Sequence, residues 1–85
     1  ATNIGFDLTQ DILRNLLDDF VLVSDEEMTR SIILHLEKTH SLAEYAGASA
    51  LAAAVKIKDQ LRNKKIVLVM SGGNITIDQL RSVLT

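Results

Sequence analysis

The side chains best suited to chemistry follow an apolar run near the end of the chain. Residues 66–70 are all apolar and lead directly into Ser71-Gly72-Gly73-Asn74. An apolar run of this length is typical of a strand buried on both faces of a parallel sheet. Ligands of such sheets bind at the carboxyl ends of the strands. The sequence therefore predicts that the Ser71 hydroxyl lies at a ligand site. The alternative is a hydroxyl that ends a strand and caps a turn.

The residues after Ser71 indicate an unusual requirement on the backbone. Glycine lacks a Cβ, so Gly72 and Gly73 either let another group approach the backbone closely or let the chain turn with positive φ. Asn74 fits two interpretations, a bond to the backbone that holds the turn and a contact with a ligand.

The pattern of the whole chain predicts helices around these residues. Asp7, Ser24 and Thr76 each begin a four-residue pattern typical of a helix N-terminus. The predicted helices cover residues 7–17, 24–39, 46–62 and 76–84, and the predicted strands cover residues 20–23 and 65–70. The second helix should bury a stripe formed by Met28, Ile32, Ile33 and Leu36. The predicted fold class is α/β, a partial parallel sheet with packed helices.

Two short strands cannot satisfy both edges and both faces of a sheet. We therefore expect other polypeptide to cover the run at residues 66–70: the rest of a longer chain, a second chain or another copy in a homo-oligomer. The chain has 85 residues and does not begin with methionine. These observations favour a piece of a larger protein.

Composition excludes several classes of function. The net charge of −2 and the lack of a basic cluster beyond Lys64-Lys65 argue against nucleic acid as a partner. Cysteine is absent, which excludes disulfides and thiolate metal sites. No apolar run has the length of a membrane span, and no secretory signal is present. His35 and His40 have no acidic partner at metal-ligand spacing, so no metal site is predicted.

Two blocks of the sequence together resemble a known family. Glu44-Tyr45-Ala46-Gly47-Ala48 is similar to the Glu-Pro/Gly-Ala-Gly-Ala block of pyridoxal-phosphate-dependent threonine and serine dehydratases, and Ser71-Gly72-Gly73-Asn74 matches their Ser-Gly-Gly-Asn block. Residues 6–10 and 18–27 resemble the stretch that precedes these blocks. The resemblance covers essentially the whole chain. Tyr45 departs from the proline or glycine common at its position; it either stacks near the cofactor ring or covers the start of the helix.

The resemblance implies a fold-type II architecture, shared with tryptophan synthase β and serine racemase. Residues 1–85 would form the C-terminal part of the large cofactor-binding domain, incomplete without upstream residues. Ser71 would hydrogen-bond the pyridine nitrogen of pyridoxal 5'-phosphate, and Gly72, Glu44 and Asn74 would lie near the cofactor. Glu44 has a second interpretation, a partly solvated carboxylate at the start of a helix.

The activity implied is dehydration and deamination of L-threonine or L-serine to a 2-oxo acid and ammonia, in a cytoplasmic homo-oligomeric lyase. None of the five lysines has the family's Schiff-base surroundings, and the glycine-rich phosphate loop is absent, so we assign no catalytic residue here and expect the isolated chain to be inactive. The alternatives are a fragment of serine racemase or of a 3-hydroxyaspartate dehydratase, and a non-catalytic α/β binding or assembly module.

Overall fold

The computed structural model describes residues 5–85, which form four α-helices joined by irregular segments. The helices are α1 (Asp7–Leu16), α2 (Asp25–Leu34), α3 (Ser49–Lys56) and α4 (Ile77–Leu84). A π-helical turn, His35–Thr39, continues α2, and short 3-10 helices, Ala46–Ala48 and Lys58–Leu61, flank α3. No helix in this part of the chain is long and apolar enough to cross a membrane.

The predicted α/β fold with a partial parallel sheet is wrong for the residues that the structure describes. Residues 20–23 and 65–70 carry no regular secondary structure. Neither segment makes a backbone-to-backbone hydrogen bond within residues 5–85. An apolar run shows that side chains favour burial, but a strand exists only where a second backbone supplies the ladder of hydrogen bonds. The two segments do not hydrogen-bond to each other, so neither forms a strand.

Two of the three predicted helix caps are confirmed. At the start of α2 the Ser24 hydroxyl accepts from the Glu27 amide at 3.1 Å, and the Glu27 carboxylate accepts from the Ser24 amide at 2.9 Å. Thr76 and Gln79 make the same reciprocal pair at the start of α4, at 3.1 and 3.0 Å. The cap at Asp7 is wrong, because Phe6 is the N-cap residue and Asp7 is already inside α1.

Two helical segments end next to polar residues that have left-handed backbone conformations. His40 and Asn63 both have left-handed backbones, with φ of 55° and 62°. His40 ends the π-helical turn, where the His35 carbonyl accepts from the Thr39 hydroxyl at 2.8 Å. The second helix therefore ends about where the sequence predicts. The predicted helix over residues 46–62 is instead three shorter helical pieces.

The core is small and centres on α2. Ile32 is fully buried and forms a cluster with Ala43, Ala48 and Val83. The other members of the predicted stripe on this helix are only half-buried. By contrast, α1 contains no buried residue, and its apolar face is exposed. The well-packed part of the molecule is thus α2, α3, α4 and the turn that precedes α3.

Candidate functional site

The structure brings the two motif blocks together. The Glu44 amide donates a hydrogen bond to the Gly72 carbonyl at 3.1 Å, which joins the turn before α3 to the segment before α4. The first block is held in its own turn because the Ala48 amide donates to the Glu44 carbonyl at 2.9 Å. Residues 28 positions apart in the sequence therefore form one continuous surface.

The glycines in these blocks allow close backbone packing. A Cβ placed on the buried Gly47 would overlap the Gly72 carbonyl oxygen and lie 3.0 Å from the Gly72 nitrogen. A Cβ on Gly73 would lie 2.5 Å from the Leu42 carbonyl oxygen. No glycine among residues 5–85 has positive φ. Of the two roles that the sequence left open for Gly72 and Gly73, close approach is the one that the structure supports.

Glu44 lies next to Gly72 through its side chain as well as its amide. Its Oε1 atom is 2.5 Å from the position that a Cβ on Gly72 would occupy. The side chain is half-buried and has no hydrogen-bond partner within the described part of the chain. The carboxylate therefore lies beside the residue that follows Ser71.

Ser71 and Asn74 are both exposed. Neither side chain has a hydrogen-bond partner among residues 5–85, so neither caps or holds the turn there. The turn is instead closed by the backbone, because the Ile75 amide donates to the Gly73 carbonyl at 2.9 Å. Ile75 then packs against the core, which anchors the segment at its far end. The Ser71 hydroxyl is left available to a ligand.

Tyr45 packs against the core cluster rather than standing free. It is half-buried and contacts the group that contains Ile32 and Ala48. Of the two roles proposed from the sequence, covering the start of the helix agrees with this position. The packing of the ring also anchors the backbone next to Glu44.

The described residues offer neither a shielded lysine nor a cluster of metal ligands. All five lysines are exposed: Lys38, Lys56, Lys58, Lys64 and Lys65. In the described residues no three or more His, Asp or Glu side chains come together as a group that could hold a metal ion. The surface therefore offers a hydroxyl, an amide side chain, a carboxylate and close-packed backbone.

Similar proteins are found over nearly the whole chain. The chain is 38% identical over 78 residues to the L-threonine dehydratase catabolic TdcB of Escherichia coli K12, 89% of this chain and 24% of that protein. It is 35% identical over 78 residues to the L-threonine ammonia-lyase of Thermotoga maritima, 92% of this chain and 19% of that protein. The chain is homologous to one segment of these enzymes. The resemblance to threonine and serine dehydratases predicted from the sequence is thereby confirmed.

A serine racemase also matches most of the chain. The serine racemase of Schizosaccharomyces pombe is 32% identical over 77 residues, 91% of this chain and 24% of that protein. The chain thus spans about a quarter or less of the length of each of these relatives. No known family model matches the chain.

Gly47 is the residue of this surface that sequence reasoning did not assign to the site. The small side chains of residues 46–54 predict a close approach to other backbone, and Gly47 packs against the Gly72 backbone. A signal was present, since Gly47 lies between Ala46 and Ala48 in a helical stretch, where alanine is the more favourable residue.

Proposed function

We propose that this chain is a segment of a pyridoxal-phosphate-dependent ammonia-lyase that converts L-threonine or L-serine to a 2-oxo acid and ammonia. The observation that carries the proposal is the match of about nine-tenths of the chain to threonine dehydratases and ammonia-lyases. The contact between Glu44 and Gly72 supports it, because it joins the two blocks that the family uses near its cofactor.

The residues on this surface fit pyridoxal phosphate. The Ser71 hydroxyl is exposed, and it can donate a hydrogen bond to a pyridine nitrogen. A Cβ on Gly72 would lie 2.5 Å from Glu44 Oε1, so glycine at this position leaves room for that carboxylate beside Ser71. When bound, the cofactor supplies an electron sink for the substrate's α-carbon.

Each side chain on this surface has a distinct role in the proposal. Ser71 orients the ring without a charge, so it does not force a proton onto the ring nitrogen as a carboxylate would. Glu44 places a carboxylate at the edge of the site, and Asn74 offers an amide that can donate or accept. A weaker electron sink suits elimination of water more than reactions that need a long-lived carbanion.

Other parts of the active site must come from outside these residues. A lysine that binds the cofactor covalently needs a shielded position, whereas all five lysines here are exposed. We propose that residues 1–85 belong to the C-terminal part of the cofactor-binding domain of a longer, homo-oligomeric polypeptide. The exposed apolar side chains of residues 66–70 would contact the rest of that protein.

The test is an activity assay on the native protein, including whatever sequence adjoins residues 1–85. With pyridoxal phosphate present, L-threonine or L-serine should yield a 2-oxo acid and ammonia in equal amounts. Ser71→Asp should slow their release, because the carboxylate favours a protonated ring nitrogen. No 2-oxo acid from either substrate would contradict the proposal.

Serine racemisation is the second candidate, because serine racemase matches over 91% of the chain. Chiral analysis of the same reaction with L-serine separates the two activities. D-serine formed faster than the 2-oxo acid would favour a racemase, and a 2-oxo acid without D-serine would favour the lyase.

A further inference from the structure

Gly47 packs closely against Gly72, a second approach between the two motif blocks beside the Glu44 hydrogen bond. Gly47 is buried, and the hydrogen atom at its Cα faces the Gly72 peptide, where a Cβ would overlap the carbonyl oxygen. That same oxygen accepts the hydrogen bond from the Glu44 amide at 3.1 Å. One carbonyl therefore meets two residues of the turn that precedes α3.

Glycine at this position is not explained by backbone conformation. Gly47 has no positive φ, and it lies in a 3-10 helix between Ala46 and Ala48. Alanine is more favourable than glycine in helical conformations. The property that distinguishes Gly47 here is its missing Cβ, which leaves room for the Gly72 peptide.

We infer that Gly47 is a positioning residue that sets the location of the Ser71 hydroxyl. This inference rests on the proposed function, because it assigns Ser71 to the cofactor. The segment from Ser71 to Ile75 is fixed at its far end, where Ile75 packs against the core. A Cβ at residue 47 must therefore displace the near end, which carries Ser71. The obstructing atoms belong to the backbone, so no side-chain rotation relieves the overlap.

The first experiment is Gly47→Ala in the native protein, measured by amide hydrogen exchange and by titration with pyridoxal phosphate. The Glu44 amide should exchange faster because its bond to the Gly72 carbonyl is broken. Cofactor affinity should fall roughly 5- to 150-fold, the range expected from overpacking by one methyl group. The capped amide of Glu27 is far from this contact in the sequence and should keep its protection.

Gly5→Ala is the matched control. It also adds one methyl group to a glycine, but the nearest atoms belong to the exposed and flexible side chain of Gln10. Gly5→Ala should leave both cofactor affinity and the Glu44 amide unchanged. An effect equal to that of Gly47→Ala would overturn the inference.

Gly73→Ala tests whether the segment that carries Ser71 must pack closely against the turn before α3. Its Cβ would lie 2.5 Å from the Leu42 carbonyl oxygen, so this variant should also displace Ser71 and weaken cofactor binding.

If both variants fail to fold, the wild-type protein still decides the matter: its Glu44 amide should be protected from exchange. A freely exchanging Glu44 amide, or unchanged affinity in a folded Gly47→Ala protein, overturns the inference. Failure of the wild-type protein to bind the cofactor would instead contradict the proposed function.

Discussion

Lys56 connects parts of the chain that are distant in sequence. Its ammonium donates to the Leu22 carbonyl at 2.8 Å and lies 3.4 Å from the Glu27 carboxylate. The segment at residues 20–23 makes no backbone-to-backbone hydrogen bond to another described residue. The Lys56 side chain therefore provides a hydrogen bond that joins that segment to the packed helices.

Replacing Lys56 by methionine tests this tie. Methionine keeps most of the length of the side chain but removes the donor and the charge. We expect the free energy of unfolding to fall by about 1 kcal/mol. The loss is small because the Lys56–Glu27 pair is partly exposed and screened by solvent. Urea unfolding of the native protein measures it. Lys58→Met is the control, since the Lys58 side chain is exposed and makes no hydrogen bond with the described residues. Equal effects of the two variants would contradict this role.

At the scale of elements, α2 and α4 begin with the same cap but with different chemistry. In α2 the reciprocal partner is the carboxylate of Glu27, whereas in α4 it is the amide of Gln79. The bond from the Ser24 amide lowers the pKa of the Glu27 carboxyl, partial desolvation opposes this, and the Ser24 hydroxyl and Lys56 lower it further. Only the cap of α2 should therefore respond to pH.

The direction of that response follows from the lowered pKa. Above the pKa that Glu27 has in the unfolded chain, the carboxylate is ionised in both states and the cap contributes its full stability. That contribution is lost as the pH falls through the lower pKa of the folded state. Protection of the Ser24 amide from hydrogen exchange should fall over this acidic range, while protection of the Thr76 amide stays constant. Glu27→Gln should abolish the difference; a parallel loss at both caps would contradict the assignment.

At the scale of the whole molecule, much apolar surface lies outside the small core. Within residues 5–85, Val67 is 91% exposed and Val69 is 70% exposed, and Leu8 and Leu16 on α1 are each 74% exposed. Such a surface is unusual for a soluble monomer and is typical of surface that contacts other polypeptide. The exposure agrees with the expectation that residues 66–70 are covered, and the identity of the covering polypeptide stays a prediction.

The sequence predicts local features of this molecule better than long-range ones. The caps at Ser24 and Thr76 were predictable because each depends on residues three positions apart. The absence of a sheet was not predictable in this way, because a strand needs a second backbone to pair with. Residues 20–23 and 65–70 do not pair with each other. At the candidate site the motifs pointed to Glu44 and Ser71, and a glycine between two alanines signalled close packing at residue 47. That Gly72 is the residue it packs against depends on long-range packing, which no local pattern encodes.

The most direct test of the account is the affinity of the native protein for pyridoxal phosphate when the Ser71 hydroxyl is removed. Ser71→Ala should weaken binding roughly three- to tenfold, the value of one neutral hydrogen bond, and Ser71→Thr, which keeps a hydroxyl, should restore most of it. Ser82→Ala removes an exposed hydroxyl from α4 and should change nothing. If folded Ser71→Ala protein binds the cofactor as tightly as the wild type, Ser71 does not contact it and the central claim is contradicted.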